Sequence, residues 1–267
     1  MDRDVRYFFD QLLLHFIYSL SLPNQVNVIM KNIILSLFFV LSLGIFAQTD
    51  TRQRVRLETT MGNITIALSD STPLHRDNFI RLAKEGFYDS LLFHRVIEDF
   101  MVQGGDPDSR HAEPGASLGD GGPGYDIPAE IRVPHLYHLR GAVAAAREGD
   151  DENPERKSSG SQFYIVWGRM GNGKNIGRAR LAVEKATDNK YTITPEMEEN
   201  YILHGGAPHL DGTYTVFGQV VEGLDDVVYA MQMATTDDND RPFEDIRILR
   251  AVVLEDVNSK AQPENVQ

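Results

Sequence analysis

The chain has 267 residues and not one cysteine, which removes disulfides, thiol nucleophiles and thiolate metal sites together. A chain with no thiol to oxidise suits an oxidising compartment, although many cytosolic proteins share the lack. Positive charge is scarce. Lys and Arg number 26 against 39 Asp and Glu, a formal charge of −13. That balance argues against general nucleic-acid binding, which needs clustered cations to neutralise phosphates. No internal repeat is visible, and neither glycine-rich stretch is a phosphate loop. Residues 119–124 and Gly171-Asn172-Gly173-Lys174 lack the required spacing to Ser or Thr and are expected to be turns. The run from Asp237 to Asp240 lacks an EF-hand pattern and reads as a solvated turn. His135 and His138 would share a metal only on a helix, which Pro134 argues against, so neither metal nor cofactor is expected.

What remains is ample for a core: 42% of residues are hydrophobic, enough for one large domain or two small ones. Met30-Lys31-Asn32, the apolar run 33–46 and Ala47-Gln48-Thr49 have the three-part pattern of a secretory signal peptide. The run is short of the roughly 20 apolar residues that span a bilayer. The expectation is therefore a signal at residues 30–47, cleavage after Ala47, and a periplasmic or secreted mature chain at 48–267, with no membrane contact beyond the signal. Residues 1–29 carry Asp2, Arg3, Asp4, Arg6 and Asp10 and a second apolar patch at 12–22. They are either an upstream start assigned ahead of Met30 or a genuine extension.

The mature part opens with strand-like runs at 55–57 and 64–68 around Thr60-Met61-Gly62-Asn63, a hairpin pattern. A helix follows, with Thr72 as N-cap, Pro73 at its first position, Leu74, Phe79, Leu82 and Ala83 on its apolar face, and Gly86 ending it. Further strands are expected at 141–145, 162–167, 215–221 and 246–254, and a second helix at 224–233. Short strands between Gly/Pro turns, with two helices far apart, predict a mostly β, antiparallel barrel capped by helices. The long polar stretch 168–206 interrupts it. There Thr194-Pro195-Glu196 has the form of a helix start, with Met197, Tyr201 and Ile202 available to pack.

The most informative segment is Phe93-His94-Arg95-Val96-Ile97-Glu98-Asp99-Phe100-Met101-Val102-Gln103-Gly104-Gly105-Asp106. Two short extended runs flank a Glu98-Asp99 turn, a hairpin that would present Arg95 and Gln103 beside Phe100 and Met101. Alternation points His94 to the opposite face, as a buried histidine with its hydrogen bonds satisfied. The segment resembles the central motif of the cyclophilins, peptidyl-prolyl cis-trans isomerases, almost residue for residue. Ser159-Gly160-Ser161-Gln162-Phe163-Tyr164-Ile165 and Leu210-Asp211-Gly212-Thr213-Tyr214-Thr215-Val216-Phe217-Gly218 are similar to that family's other signatures, in the family's order.

The resemblance implies an eight-stranded antiparallel cyclophilin-like barrel capped by two helices, with 168–206 as an inserted, partly helical segment. It implies Arg95 as the transition-state donor, Phe100, Met101, Tyr164 and Leu210 as the proline pocket, and Gln103, Gln162, the Ala146-Arg147 backbone and Tyr214 as positions that hold the peptide. His209 stands where cyclosporin-sensitive members carry tryptophan, so the indole N–H and its apolar area are missing. Tyr214 stands where many have histidine, Tyr164 adds a hydroxyl to the commoner phenylalanine, and Arg147 takes a place often held by asparagine. The implied protein is a monomeric isomerase acting on proline-containing peptides and unfolded exported proteins. The alternative is a proline-binding chaperone or scaffold module with little turnover.

Overall fold

The computed structural model describes residues 50–254; the signal-peptide and upstream-extension readings lie outside the described residues. The alternation Arg-Val-Arg-Leu-Glu-Thr turns Val55, Leu57 and Thr59 inward and makes β1, Arg54–Thr59, a strand with one buried face. It pairs antiparallel with β2, Gly62–Leu68, with Leu57 opposite Ile64. The Thr59 hydroxyl closes the turn by donating to the Gly62 carbonyl at 2.7 Å and accepting from the Met61 N–H at 3.1 Å.

The other strands are β3, Arg95–Ile97; β4, Met101–Gly104; β5, Asp126–Ile127; β6, Ala142–Ala145; β7, Ser158–Ser159; β8, Phe163–Val166; β9, Val216–Glu222; and β10, Ile248–Leu254. Eight of them form one antiparallel sheet in the order β10-β1-β2-β9-β6-β8-β4-β3, while β5 and β7 form a separate ladder. The sheet curls until its ends meet through single contacts, with Leu92 bridging Arg247 and the Phe93 N–H donating to the Ile246 carbonyl at 2.8 Å. Inside lie Val55, Leu57, Ile64, Ile66, Val102, Phe163 and Ile165, each at most 1% exposed.

Helix α1, Pro73–Lys84, covers one end of this core. Phe79 reaches three rings of the core, lying 4.9 Å from Tyr88, 5.3 Å from Phe163 and 5.5 Å from Phe217. Two details differ from the sequence reading. Leu74 is half exposed, and His75 is the buried residue of the first turn. Thr72 holds the N-cap position but makes no side-chain cap bond. The free N–H groups of Leu74 and His75 instead donate to the Glu130 carboxylate at 3.3 and 3.0 Å. A charged acceptor satisfies those donors and complements the helix dipole better than a hydroxyl would. The second expected helix is present in two parts, a π-helical turn at Leu224–Val228 and then α4, Tyr229–Gln232, with Val228 and Met231 fully buried.

The insertion is partly helical, as expected, but it holds two helices rather than one, so four α-helices stand among the described residues. Helix α3, Pro195–His204, begins as expected, with the Thr194 hydroxyl accepting from the Met197 N–H at 3.2 Å. Met197 and Tyr201 are buried, but Ile202 faces solvent. Helix α2, Gly173–Ala186, was not anticipated: Asn172 caps it by accepting from the Asn175 N–H at 3.0 Å, so the supposed turn is a helix start. Its glycine and basic residues mask a helical period carried by Ile176, Ala179 and Val183. The insertion begins and ends at Gly168 and Gly206, whose backbones approach so closely that a Cβ on Gly168 would meet Gly206 atoms at 2.3 Å. Both have positive φ, which only glycine adopts cheaply.

Candidate active site

Because side chains alternate along a strand, the half of the sheet formed by β3, β4, β8 and β6 has two distinct faces. Val96, Val102, Phe163, Ile165 and Val143 face the core. The intervening residues face outward, and the register aligns them. Arg95 lies opposite Gln103, Gln103 opposite Tyr164, and Tyr164 opposite Ala144, one continuous row across four strands. One step along, Met101 lies opposite both Ile97 and Val166.

A second apolar cluster builds on this outer face. Met101, Tyr164, Val166, Ala142 and Ala144 form its buried part, and Phe100, Ala146, Leu210 and Tyr214 pack at its edge. The His209 ring lies 5.5 Å from that of Phe100. Thus the structure brings Phe100, Met101, Ala146, Tyr164, His209, Leu210 and Tyr214 together, with Arg95 and Gln103 in the cross-strand row beside them. Their arrangement is an apolar cluster on the outer face of the sheet with the Arg95 guanidinium and the Gln103 amide beside it.

The amides are held in place. Gln103 donates to the Gln162 side-chain oxygen at 3.0 Å, and the Gln162 amide donates to the carbonyls of Gly119 and Gly121 at 2.7 Å each. Gly119 in turn donates its N–H to the fully buried Asp106 carboxylate at 2.5 Å, which draws the glycine-rich loop onto the site. Behind it, Gly105 touches Ser161: a Cβ there would stand 2.3 Å from the Ser161 carbonyl oxygen. Arg147 is committed elsewhere. Its Nε donates to the Thr213 carbonyl at 2.8 Å, it pairs with Asp150 at 2.6 Å, and its guanidinium lies 4.4 Å from the centre of the Tyr214 ring. That stacking, worth about 0.5–2 kcal/mol, fixes Tyr214 at the rim.

Arg95 has a partner that the motif did not reveal. Its Nε donates to Asp240 at 3.2 Å, across 145 residues of sequence. The run from Asp237 to Asp240 is therefore more than a solvated turn. The Asp237 carboxylate accepts from the N–H groups of Asn239 and Arg241, both at 2.9 Å, and this folds Asp240 back onto Arg95.

The Tyr164 hydroxyl does not line the recess as expected. It meets His138 Nε2 at 2.9 Å, while His138 Nδ1 lies 2.9 Å from Asp211, whose other oxygen accepts from the Tyr201 hydroxyl at 2.6 Å. The network assigns Nδ1–H toward the carboxylate, so Nε2 accepts and Tyr164 donates. Burial pushes the Tyr164 phenol well above its ordinary range, with the nearby Tyr214 and Asp211 acting in the same direction, so it remains a donor. His138, Asp211 and Tyr201 are at most 1% exposed, and Tyr164 is 5% exposed. The cluster thus keeps the apolar ring contacts a phenylalanine would supply.

His94 is buried, as expected, but neither ring nitrogen has a hydrogen-bond partner. Burial pushes its pKa below the ordinary histidine value, with Asp106 opposing. Its Nε2 lies against the glycine-rich loop, 3.8 Å from where a Cβ on Gly119 would stand.

Comparison with known proteins supplies the family. The family described as cyclophilin type peptidyl-prolyl cis-trans isomerase/CLD matches residues 54–253. The chain is 34% identical over 205 residues to a peptidyl-prolyl cis-trans isomerase of Schizosaccharomyces pombe, covering 75% of this chain and 98% of that one. It is 35% identical over 207 residues to a Streptococcus pyogenes protein named for both a phosphatase and a peptidyl-prolyl cis-trans isomerase, covering 75% of this chain but only 38% of that protein. In fold it is similar to a Cryptosporidium parvum cyclophilin type peptidyl-prolyl cis-trans isomerase crystallised in the presence of the dipeptide Ala-Pro. The TM-score is 0.54 at 23% identity, covering 76% of this chain and all of that one.

Proposed function

The chain belongs to the cyclophilin-type peptidyl-prolyl cis-trans isomerase family, and from this we propose that it accelerates isomerisation of X-Pro bonds in exported polypeptides. The uncatalysed barrier, about 18–20 kcal/mol, comes from amide resonance and falls when the prolyl nitrogen is allowed to become pyramidal and regain its lone pair. Such a reaction needs no nucleophile. It needs a grip on the ring and a donor aimed at charge that appears only in the twisted state. Phe100, Met101, Tyr164 and Leu210 provide the grip, Arg95 is the donor, and Gln103, Gln162, Tyr214 and the Ala146-Arg147 backbone hold the peptide. The observation that carries this reading is the cross-strand row setting Arg95 and Gln103 beside the apolar cluster of Met101 and Tyr164.

A proline-limited refolding or peptide isomerisation assay tests it. Arg95→Ala is expected to lower kcat/KM by tens-fold, on the order of 2 kcal/mol, with the fold unchanged by circular dichroism. Full activity in that variant would remove Arg95 from the mechanism. One observation favours the second reading, a proline-binding chaperone or scaffold with little turnover: Asp240 already engages the Arg95 guanidinium. Under that reading the protein would hold unfolded clients without accelerating their refolding. The signal pattern at residues 30–47 supports action in the periplasm or outside the cell, and a mature N-terminus at Gln48 would bear this out.

A further inference from the structure

Building on the prolyl-isomerase reading, we propose that the 168–206 insertion extends the substrate groove. A recess between α2 and the Pro208–Leu210 turn takes a large apolar side chain of the same substrate polypeptide, beyond the proline and beside an acidic residue. The recess has a volume of about 420 Å³ and is lined by Met170, Ile176, Ala179, Ala182, Pro208 and His209. Its floor is firm, since Ile176 and Ala179 are 0% and 7% exposed, whereas Met170 at 64% lies open to an incoming chain.

Three observations point to a substrate segment as the occupant. The first is continuity: His209 lines this recess and also packs on Phe100 of the proline pocket, so a chain leaving that pocket past His209 enters it directly. The second is fixed geometry. Tyr201 of α3 is bonded to Asp211, the residue after Leu210, and its carbonyl accepts from the Gly171 N–H at 2.8 Å, which locks both walls to the pocket frame. The third is charge. Arg178 is exposed and makes no hydrogen bond or ion pair among the described residues, and Arg169 is bonded to Asp99 only through Nε. In a chain of net charge −13 this rim is locally cationic, and it complements a carboxylate next to the buried apolar residue.

The test measures binding by fluorescence anisotropy with three labelled peptides. One is a short Ala-Ala-Pro-Ala peptide, and the others add four residues containing leucine and glutamate before or after it. Because the recess lies on one side of the proline pocket, only one extension should tighten binding, by about tenfold, the scale of one apolar side chain partly removed from water. Ala182→Glu, which places a carboxylate at the exposed edge of α2, should abolish that gain, and Arg178→Glu should reduce it about threefold. Each variant is referenced to its own affinity for the short peptide. No gain from either extension, or a gain that survives Ala182→Glu in a folded protein, overturns the proposal. Turnover of the short peptide, measured in parallel, tests the isomerase reading separately: its absence beside a preserved extension gain would defeat catalysis and leave the recess standing.

Discussion

Asp211 joins Tyr201 of the insertion, through His138, to Tyr164 of the outer apolar cluster, and its replacement separates the two. The carboxylate accepts three hydrogen bonds, from the His138 N–H at 2.9 Å, His138 Nδ1 at 2.9 Å and the Tyr201 hydroxyl at 2.6 Å. Asp211→Ala leaves three donors unpaired at a site with no solvent exposure. Each unsatisfied group costs about 1–3 kcal/mol, and a water entering the vacated space keeps the sum near the low end, about 4 kcal/mol. In a domain of this size that is a fall in Tm on the order of 10 °C. Asp211→Asn preserves shape, and the Tyr201 hydroxyl can reverse to accept from the new amide, so its cost should be nearer 1–2 kcal/mol. Guanidinium unfolding midpoints give the stabilities, and peptide isomerisation gives the effect on the pocket, where His138 would no longer be held against Tyr164. An alanine variant within about 1 kcal/mol of wild type, or an asparagine variant equal to alanine, would show that these bonds do not hold His138 and Tyr201 in place.

The Arg95 pair and the buried His94 give two further expectations. Asp240→Ala should lower kcat/KM about threefold by releasing the Arg95 head, a loss the size of one exposed ion pair, while Asp240→Asn retains an acceptor and most of the activity; an increase in activity from alanine would mean that the pair restrains Arg95 rather than orients it. His94 binds its proton less readily when folded than at its ordinary value of 6.5, so the unfolded state takes up the proton first. Stability should therefore be complete above pH 6.5 and decline as pH falls below it, and His94→Leu should flatten that decline in urea titrations; an unchanged slope would exclude His94 as a source.

Much of the fold was legible because it depends on local pattern. Alternation along 54–68 and 95–104 specifies which residues turn inward, and the same alternation puts Arg95, Met101 and Gln103 on the opposite face from Val96 and Val102. Thr194-Pro195-Glu196 announces a helix by cap chemistry confined to a few residues. The motifs also named residues that the sheet brings together in one apolar cluster and one cross-strand row. What the tertiary structure alone decided are the partners that arrive from far along the chain. Glu130 caps α1 from 55 residues away, Asp240 reaches Arg95 across 145, and Asp211 reaches His138 across 73. These choices turned His75 inward instead of Leu74, and directed the Tyr164 hydroxyl away from the recess. A propensity or a period records how a side chain relates to its own strand or helix. Whether a buried polar atom finds its acceptor depends on which other segment packs over it, and that is settled only when the sheet curls and the loops close.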